Sequence, residues 1–447
     1  MNVSRTSTVP GGSPRAASTR PLNHASISCL VIFNPANIER ACCTKCPRRA
    51  TRNIGSGREA PVVSACAAAR FSDKREVMQV ISTEAWVLHR GESAGVPGKL
   101  VRETFTFDDI GPDEVLARPL RGCWEGNMDH SIRRSPIDIC ELRGESKVVI
   151  GNAGVVEILR TGSAVDTVRE GDVCIVFCAG KTDEHGYPET IFGYDAKGTI
   201  GCLAKTTKLH QRQVVPVPAG SRFSLEQWAA FSLRYITAWA NWNVAWGCFR
   251  AQLPEVPAED VFVCGWGGGV ALAELELAKL AGCRVAMITS QKSRLAQLAE
   301  IGIDGIDRGA FGEKTFEEDF LAALRERTGG RGVSIFIDNI GANYRSTLKA
   351  LAREGVLCTT GWKRVMTYPT VRSMECIARH IHVFTHYARY VEGLAAVAFA
   401  EARGWMAPRE GRTYAWDEIP QLADDYAAGI IESYFPIYAV NPPTTKS

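Results

Sequence analysis

Asp260-Val-Phe-Val-Cys-Gly-Trp-Gly-Gly-Gly-Val-Ala-Leu-Ala-Glu-Leu-Glu-Leu-Ala-Lys-Leu-Ala-Gly282 reads as strand, glycine turn and helix in immediate succession. Val261 to Cys264 form a buried-type apolar run, and Ala271, Leu275, Ala278 and Ala281 recur at helical spacing. Glycines suit the turn because a Cβ would hold a pyrophosphate away from the backbone N–H groups at the helix N-terminus, whose partial positive charge favours an anion. A dinucleotide site is therefore expected at Gly265, Gly267, Gly268, Gly269 and Val270. Two registers fit: Gly265-x-Gly267 with Val270 as an imperfect third position, or Gly265-x-x-Gly268-x-x-Ala271.

The next strand bears on which dinucleotide. Arg284 to Thr289 reads as a second strand, and a site for NAD usually places Asp or Glu near its end to accept from the ribose 2′-OH. Here the run is Thr289-Ser-Gln-Lys-Ser-Arg294, so Ser290, Lys292 and Arg294 suit a 2′-phosphate and predict NADPH. Alternation continues with a strand over Val333–Asp338, a helix over Tyr344–Arg353 and a strand over Val356–Trp362. That is the pattern of a doubly wound parallel sheet, whose ligands lie beyond the carboxyl ends of the strands. Asn339, Gly341, Gly361 and Trp362 are the expected lining of the nicotinamide half. Asp338 reads as a turn-capping residue rather than a base.

Length and composition fit two domains with a distinct leader. The 447 residues, 45% hydrophobic, supply two cores of ordinary size. Residues 1–77 hold twelve Lys plus Arg against four Asp plus Glu and show almost no apolar periodicity. The whole chain carries only +3, so the remainder is mildly acidic, which argues against a nucleic-acid surface on the folded part. The leader reads as a transit segment, a disordered tail, or the product of a start codon placed too far upstream of Met78; the last is favoured. No apolar run approaches the roughly 18 residues a membrane span needs. A cytoplasmic protein is expected, organellar if the leader is a genuine transit segment. Ten of the fifteen Cys are scattered through residues 78–447, as buried free thiols in a reducing compartment would be. Trp239, Trp242 and Trp246 follow helical spacing and read as core.

Between Met78 and Arg234 the pattern changes to short strands and glycine turns, and here a family resemblance becomes explicit. Gly151-Asn-Ala-Gly-Val-Val-Glu-Ile-Leu-Arg-Thr-Gly-Ser-Ala-Val165, Val168-Arg-Glu-Gly-Asp-Val173, Gln213-Val-Val-Pro-Val-Pro-Ala-Gly220 and Ala229-Ala-Phe-Ser-Leu-Arg-Tyr-Ile-Thr-Ala-Trp239 resemble the medium-chain dehydrogenase/reductase superfamily. The resemblance implies an α/β fold in which a GroES-like β-rich catalytic domain (78–235) precedes a Rossmann NADPH-binding domain (236–395), and residues 396–447 return to the catalytic domain. A homodimer is implied too.

The departures shape the expected chemistry. Zinc members of the family carry Gly-His-Glu where this chain has Gly151-Asn152-Ala153; Cys123 lies near the cysteine ligand position, and one thiolate cannot make the three-ligand catalytic site. No metal is expected. Ile191-Phe-Gly-Tyr-Asp-Ala-Lys-Gly-Thr-Ile-Gly-Cys-Leu-Ala204 and Phe384-Thr-His-Tyr-Ala-Arg-Tyr-Val-Glu392 resemble the crotonyl-CoA carboxylase/reductase branch. That resemblance places Tyr194, Asp195 and His386 on the branch's Phe, Glu and His, and Asn127 loosely on its Asn. His386 and Tyr194 are then candidate general acids, with a hydrogen-bonded structural role equally open for His386. The leading expectation is NADPH-dependent, zinc-independent reduction of a conjugated C=C bond on an enoyl-CoA or carrier-protein thioester, enone or quinone. Zinc-independent alcohol or carbonyl redox, reductive carboxylation of an enoyl-CoA, and a non-catalytic cofactor-binding role are the alternatives.

Overall fold

The computed structural model describes residues 79–443 except 94, 362–369 and 410. The leader and Trp362 lie outside the described residues.

Three strands open the chain: β1 (Val80–His89), β2 (Lys99–Asp108) and β3 (Glu114–Cys123). Helices α1 (Gly126–Arg133) and α2 (Ile139–Arg143) follow, then β4 (Lys147–Val148), β5 (Gly154–Thr161), β6 (Val173–Val176), β7 (Thr207–His210) and β8 (Val214–Pro216). Helix α3 (Leu225–Gln252) leads to β9 (Phe262–Trp266), α4 (Gly269–Leu280), β10 (Arg284–Thr289), α5 (Lys292–Glu300), β11 (Asp304–Asp307) and α6 (Phe316–Thr328). Then come β12 (Val333–Ile337), α7 (Tyr344–Ala350), β13 (Leu351–Cys358), β14 (His382–Phe384), α8 (Tyr390–Arg403), β15 (Thr413–Tyr414), α9 (Ile419–Ala428) and β16 (Ile437–Ala439).

Strands β9 to β14 form one sheet in the order β11-β10-β9-β12-β13-β14, and all five neighbouring pairs are parallel. This is the doubly wound dinucleotide-binding order, with its switch point between β9 and β12. The remaining strands make a three-stranded sheet, β2-β1-β4, and a larger one in which β16 pairs antiparallel with β3 next to β5, β6 and β8. The return of the chain to its first domain is therefore physical pairing: Ile437 faces Cys123 and Tyr438 faces Gly122. A Cβ on Gly122 would sit 2.1 Å from the Tyr438 ring, so only glycine lets that ring cross the sheet. The helix expected over Tyr344–Arg353 stops at Ala350, because Leu351 turns extended (φ −61°, ψ 147°) and pairs with Val333.

Helix α3 joins the two halves. Ser224 caps it by accepting from the Gln227 amide, with Gln227 reciprocating, which satisfies donors its first turn leaves over. Its faces pack against β3 and β5 on one side and α4 and β13 on the other. The tryptophans pack in or against the core: Trp239 meets Phe399 in a tilted contact at 4.7 Å, and Trp242 stacks on Trp246 at 5.4 Å.

Arg234, midway along α3, is buried. Its Nε donates to Glu125 Oε2 (2.9 Å), Nη2 to the Trp124 carbonyl (2.8 Å), and Nη1 to the Tyr434 carbonyl. A Cβ on Gly269 would meet the Arg234 stem at 2.7 Å, so α4 begins directly on this side chain. Arg234→Met leaves a buried carboxyl without its counter-ion, and a loss of about 3–5 kcal/mol by chemical denaturation is expected. The double variant Arg234→Met, Glu125→Leu recovers most of it.

Candidate active site

The glycine turn runs from the end of β9 into the first turn of α4. Gly265 lies at the end of β9, and a Cβ there would stand 3.4 Å from Ala271 Cβ, so strand and helix approach closely where the first and last positions of Gly265-x-x-Gly268-x-x-Ala271 meet. The Gly267 amide donates to the Ile288 carbonyl and ties the turn to β10. Gly268 is the N-cap of α4, and nothing lies within 4 Å of where its Cβ would be. That open amide face at a helix N-terminus fits a pyrophosphate. Val270 follows in the first turn, half-buried.

At the end of β10, Ser290 and Lys292 are exposed and no carboxylate stands among Thr289 to Arg294. Arg294 is already engaged: Nε donates to the Glu432 carbonyl (2.8 Å), Nη2 to the Ser433 carbonyl (3.0 Å), and the guanidinium lies 4.5 Å over the Tyr434 ring. It fastens the start of α5 to the returning segment, leaving Ser290 and Lys292 as the open polar pair.

Across the switch point, Asn339 Oδ1 accepts from the Thr360 amide (2.8 Å) and hydroxyl (2.9 Å), joining the ends of β12 and β13. Gly361 presses against this junction, its absent Cβ falling 2.1 Å from the Asn339 carbonyl. Gly341 adopts φ 78°, which favours glycine, and its amide donates to Asp338 Oδ1 (2.8 Å). Asp338 also accepts from the Ile340 amide and the Thr347 hydroxyl, so it caps the turn.

The other wall comes from the first domain. Gly151 donates to the Gly193 carbonyl, and Cys123 to the Ala153 carbonyl, which sets Asn152 between the Tyr194 loop and the end of β3. Asn152 is fully buried, and neither amide atom has a hydrogen-bond partner. Tyr194 is buried with its hydroxyl unpartnered; burial, then the charges of Asp195 and Tyr387, push its phenol up to about 12. Asp195 accepts from the Ile191 amide. Asn127 sits in the first turn of α1 with a buried, unpartnered Oδ1. Burial likewise pushes the Cys178 thiol up to about 12, helped by Glu125 and Asp195.

The segment after β14 contributes two neighbours that point differently. His386 Nε2 lies 2.9 Å from Glu392 Oε1, its ring packs edge-on to Tyr187 (5.5 Å), and its carbonyl accepts from Asn241 Nδ2 (2.9 Å). Tyr387, 45% exposed, is electrostatically linked to the Tyr194 wall: partial desolvation raises its phenol, and Cys178 and Asp195 raise it further. Sequence reading passed over Tyr387, since it adjoins a histidine with more evident acid–base chemistry. The phenols of Tyr194 and Tyr387 both feel the Asp195 charge, while the His386 ring pairs with Glu392 on α8.

Among the described residues no three His, Cys, Asp or Glu side chains converge as a metal site would require, and no helix is long and apolar enough to cross a membrane. The chain has the medium-chain dehydrogenase/reductase fold. Residues 269–402 match the zinc-binding dehydrogenase family, a stretch that holds the nucleotide half and neither Cys123 nor Asn152. Crotonyl-CoA reductase of Streptomyces avermitilis is 24% identical over 318 residues, covering 66% of this chain and 68% of that one. Acryloyl-coenzyme A reductase of Metallosphaera sedula is 26% identical over 253 residues, 53% of this chain and 69% of that one. The solved structure of the 2-octenoyl-CoA carboxylase reductase CinF, in complex with NADP and 2-octenoyl-CoA, superposes with a TM-score of 0.67 at 18% identity, covering 82% of this chain and 90% of that one. The chain is thus similar to reductases named for α,β-unsaturated acyl-CoA substrates, and the α/β class with a sheet-rich half and a Rossmann half is as expected.

Glu392 supplies a pH test of this wall. Against the cost of its burial, hydrogen bonds from His386 and Arg389 hold its carboxyl down at about 2, below the ordinary carboxyl value of 4.5. A depressed folded-state value means the stabilisation is present above about pH 4.5 and disappears as pH falls toward 2. Glu392→Gln is expected to flatten the thermal stability profile across that window, read by melting temperature at stepped pH.

Proposed function

We propose that the protein transfers a hydride from NADPH to a conjugated carbon–carbon double bond, without metal, on an acyl thioester of coenzyme A or a carrier protein. The observation that carries this reading is the donor set at Asn152: a buried amide stands beside Cys123 where alcohol chemistry would need a zinc ligand. Reduction of an activated double bond needs no Lewis acid. The names of the crotonyl-CoA and acryloyl-CoA reductases support the substrate class, and the NADP-bound neighbour supports the cofactor.

Under this reading Gly265, Gly268 and the N-terminus of α4 hold the pyrophosphate, Ser290 and Lys292 meet the 2′-phosphate, and Asn339, Gly341 and Gly361 back the nicotinamide. A nicotinamide held there would supply a hydride for the β-carbon. The double-bond electrons move onto the thioester oxygen, and the α-carbon then takes a proton. Tyr194 and Tyr387 both keep their phenolic protons at neutral pH and can donate; Asp195 holds the loop that carries Tyr194. Asn127 lies on the same domain as a polar contact for substrate. His386 positions Tyr387 through its bond to Glu392. We also infer a homodimer through β14, which ends the parallel sheet with Val383 exposed and with exposed Val371, Met374 and Ile377 preceding it.

An NADPH-oxidation screen over enoyl-CoAs, enones, quinones and ketones, with and without bicarbonate, tests the reading on protein of measured metal content. Turnover of enoyl thioesters without bicarbonate, at well under one zinc per chain, is the expected result; ketone turnover alone, or stoichiometric zinc, overturns it. NADPH is expected to bind at least about tenfold more tightly than NADH, about 1.4 kcal/mol, and Ser290→Asp to erase the difference. Tyr387→Phe is expected to lower turnover roughly 10²-fold with NADPH affinity changed less than about threefold. His386→Ala is expected to lower the melting temperature with a smaller loss of turnover.

A further inference from the structure

Glu274, on the second turn of α4, is fully buried, an uncommon place for a carboxyl on the helix that begins at the glycine turn. It faces polar groups from three other elements. Cys358 Sγ, at the end of β13, lies 3.5 Å from Glu274 Oε2 and 3.3 Å from Asn241 Oδ1 on α3. Glu274 Oε1 and Asn339 Nδ2 are both buried without hydrogen-bond geometry, yet the Asn339 amide is near enough to draw the carboxyl down. Asn339 in turn holds Thr360, and Asn241 holds the carbonyl of His386 beside Tyr387. The cluster therefore touches every strand end assigned to the nicotinamide half and the segment carrying the second phenol.

We propose that Glu274 is a positioning residue that works as a neutral acid, fixing Asn339 and Cys358, and through them the β12 and β13 ends on which the nicotinamide rests. The inference relies on the dinucleotide reading above. Two buried polar atoms left unpaired are costly, and pairing Asn339 Nδ2 with Glu274 Oε1 is the arrangement a bound nicotinamide would select by pressing on the Asn339 loop. No charged side chain faces the carboxyl; Cys358 and Asn339 are the groups that act on it, and burial dominates, pushing it up to about 8. The Cys358 thiol is itself pushed well up by burial and by Glu274, so it keeps its proton. The cluster is uncharged below about pH 8, and ionisation of Glu274 above that leaves a lone buried charge against the cofactor loops.

The experiment measures the NADPH dissociation constant and melting temperature between pH 6 and 9.5 for the full chain, Glu274→Gln and Glu274→Leu. NADPH binding to the full chain is expected to weaken by at least about tenfold as pH rises through roughly 8. Glu274→Gln, which keeps a neutral donor and acceptor, is expected to bind within about threefold of the parent at pH 7 and to lose the alkaline weakening. Glu274→Leu is expected to bind at least about tenfold more weakly at every pH while its melting temperature holds or rises, since an apolar group of similar size replaces an incompletely paired one. A purely structural Glu274 predicts altered melting temperatures with pH-independent binding in all three. An alkaline weakening that persists in Glu274→Gln, or parent-like binding by Glu274→Leu, overturns the proposal. If the unsubstituted chain binds no NADPH at any pH, the cofactor reading itself has failed.

Discussion

The ion pair between Glu125 and Arg234 is the constraint on which the rest of the arrangement depends. It is made by residues 109 apart in sequence, both buried. Desolvation works to neutralise the Glu125 carboxyl, and the Arg234 guanidinium, which cannot give up its charge in practice, opposes that. Such a pair adds little net stability over an apolar substitute and a great deal of specificity, because every alternative packing strands a charge. Here the specificity is spent on geometry: one guanidinium fixes the end of β3, the entry to α1, the returning segment at Tyr434 and the first residue of α4. The relative placement of the glycine turn and the Tyr194 wall follows from it.

Much of the fold was legible because its signals are local. Strand β10 spans the residues expected, and the helix after the glycine turn starts within two residues of its first periodic alanine. Sheet order needed no side-chain detail, since right-handed crossovers and the alternating pattern leave few topologies. The end of α7 was misjudged because Leu351 to Arg353 suit a helix by propensity, and only pairing with β12 decides otherwise.

The site was less legible, and the reason is physical rather than statistical. Tyr387 and His386 are adjacent in sequence, yet His386 is taken up by Glu392 while the Tyr387 phenol feels the Asp195 charge. Arg294 reads as a cation for the 2′-phosphate, and its guanidinium donates to three carbonyls of a segment 137 to 139 residues away. Nothing in the spacing around Glu274 marks it as buried; packing against the end of β13 shows it so. The Arg294 and Glu274 cases depend on contacts distant in sequence, which periodicity does not encode.

The strand pairing at β3 also bears on how the chain is made. One stretch of β3 is bordered by β7, and its far end by β16, so that Arg121 and Asn441, 320 residues apart, share a hydrogen bond. During synthesis the N-terminal sheet must wait, its edge at Arg121 to Cys123 open, until the whole nucleotide-binding half has left the ribosome. Closing so long a loop is slow compared with local helix formation. The nucleotide-binding half, whose strands are contiguous in sequence, can form first and present α4 as a template, so the last segment synthesised is the one that completes the first domain. A chain cut short of β16 would expose an unpaired edge, the kind of surface that seeks another molecule.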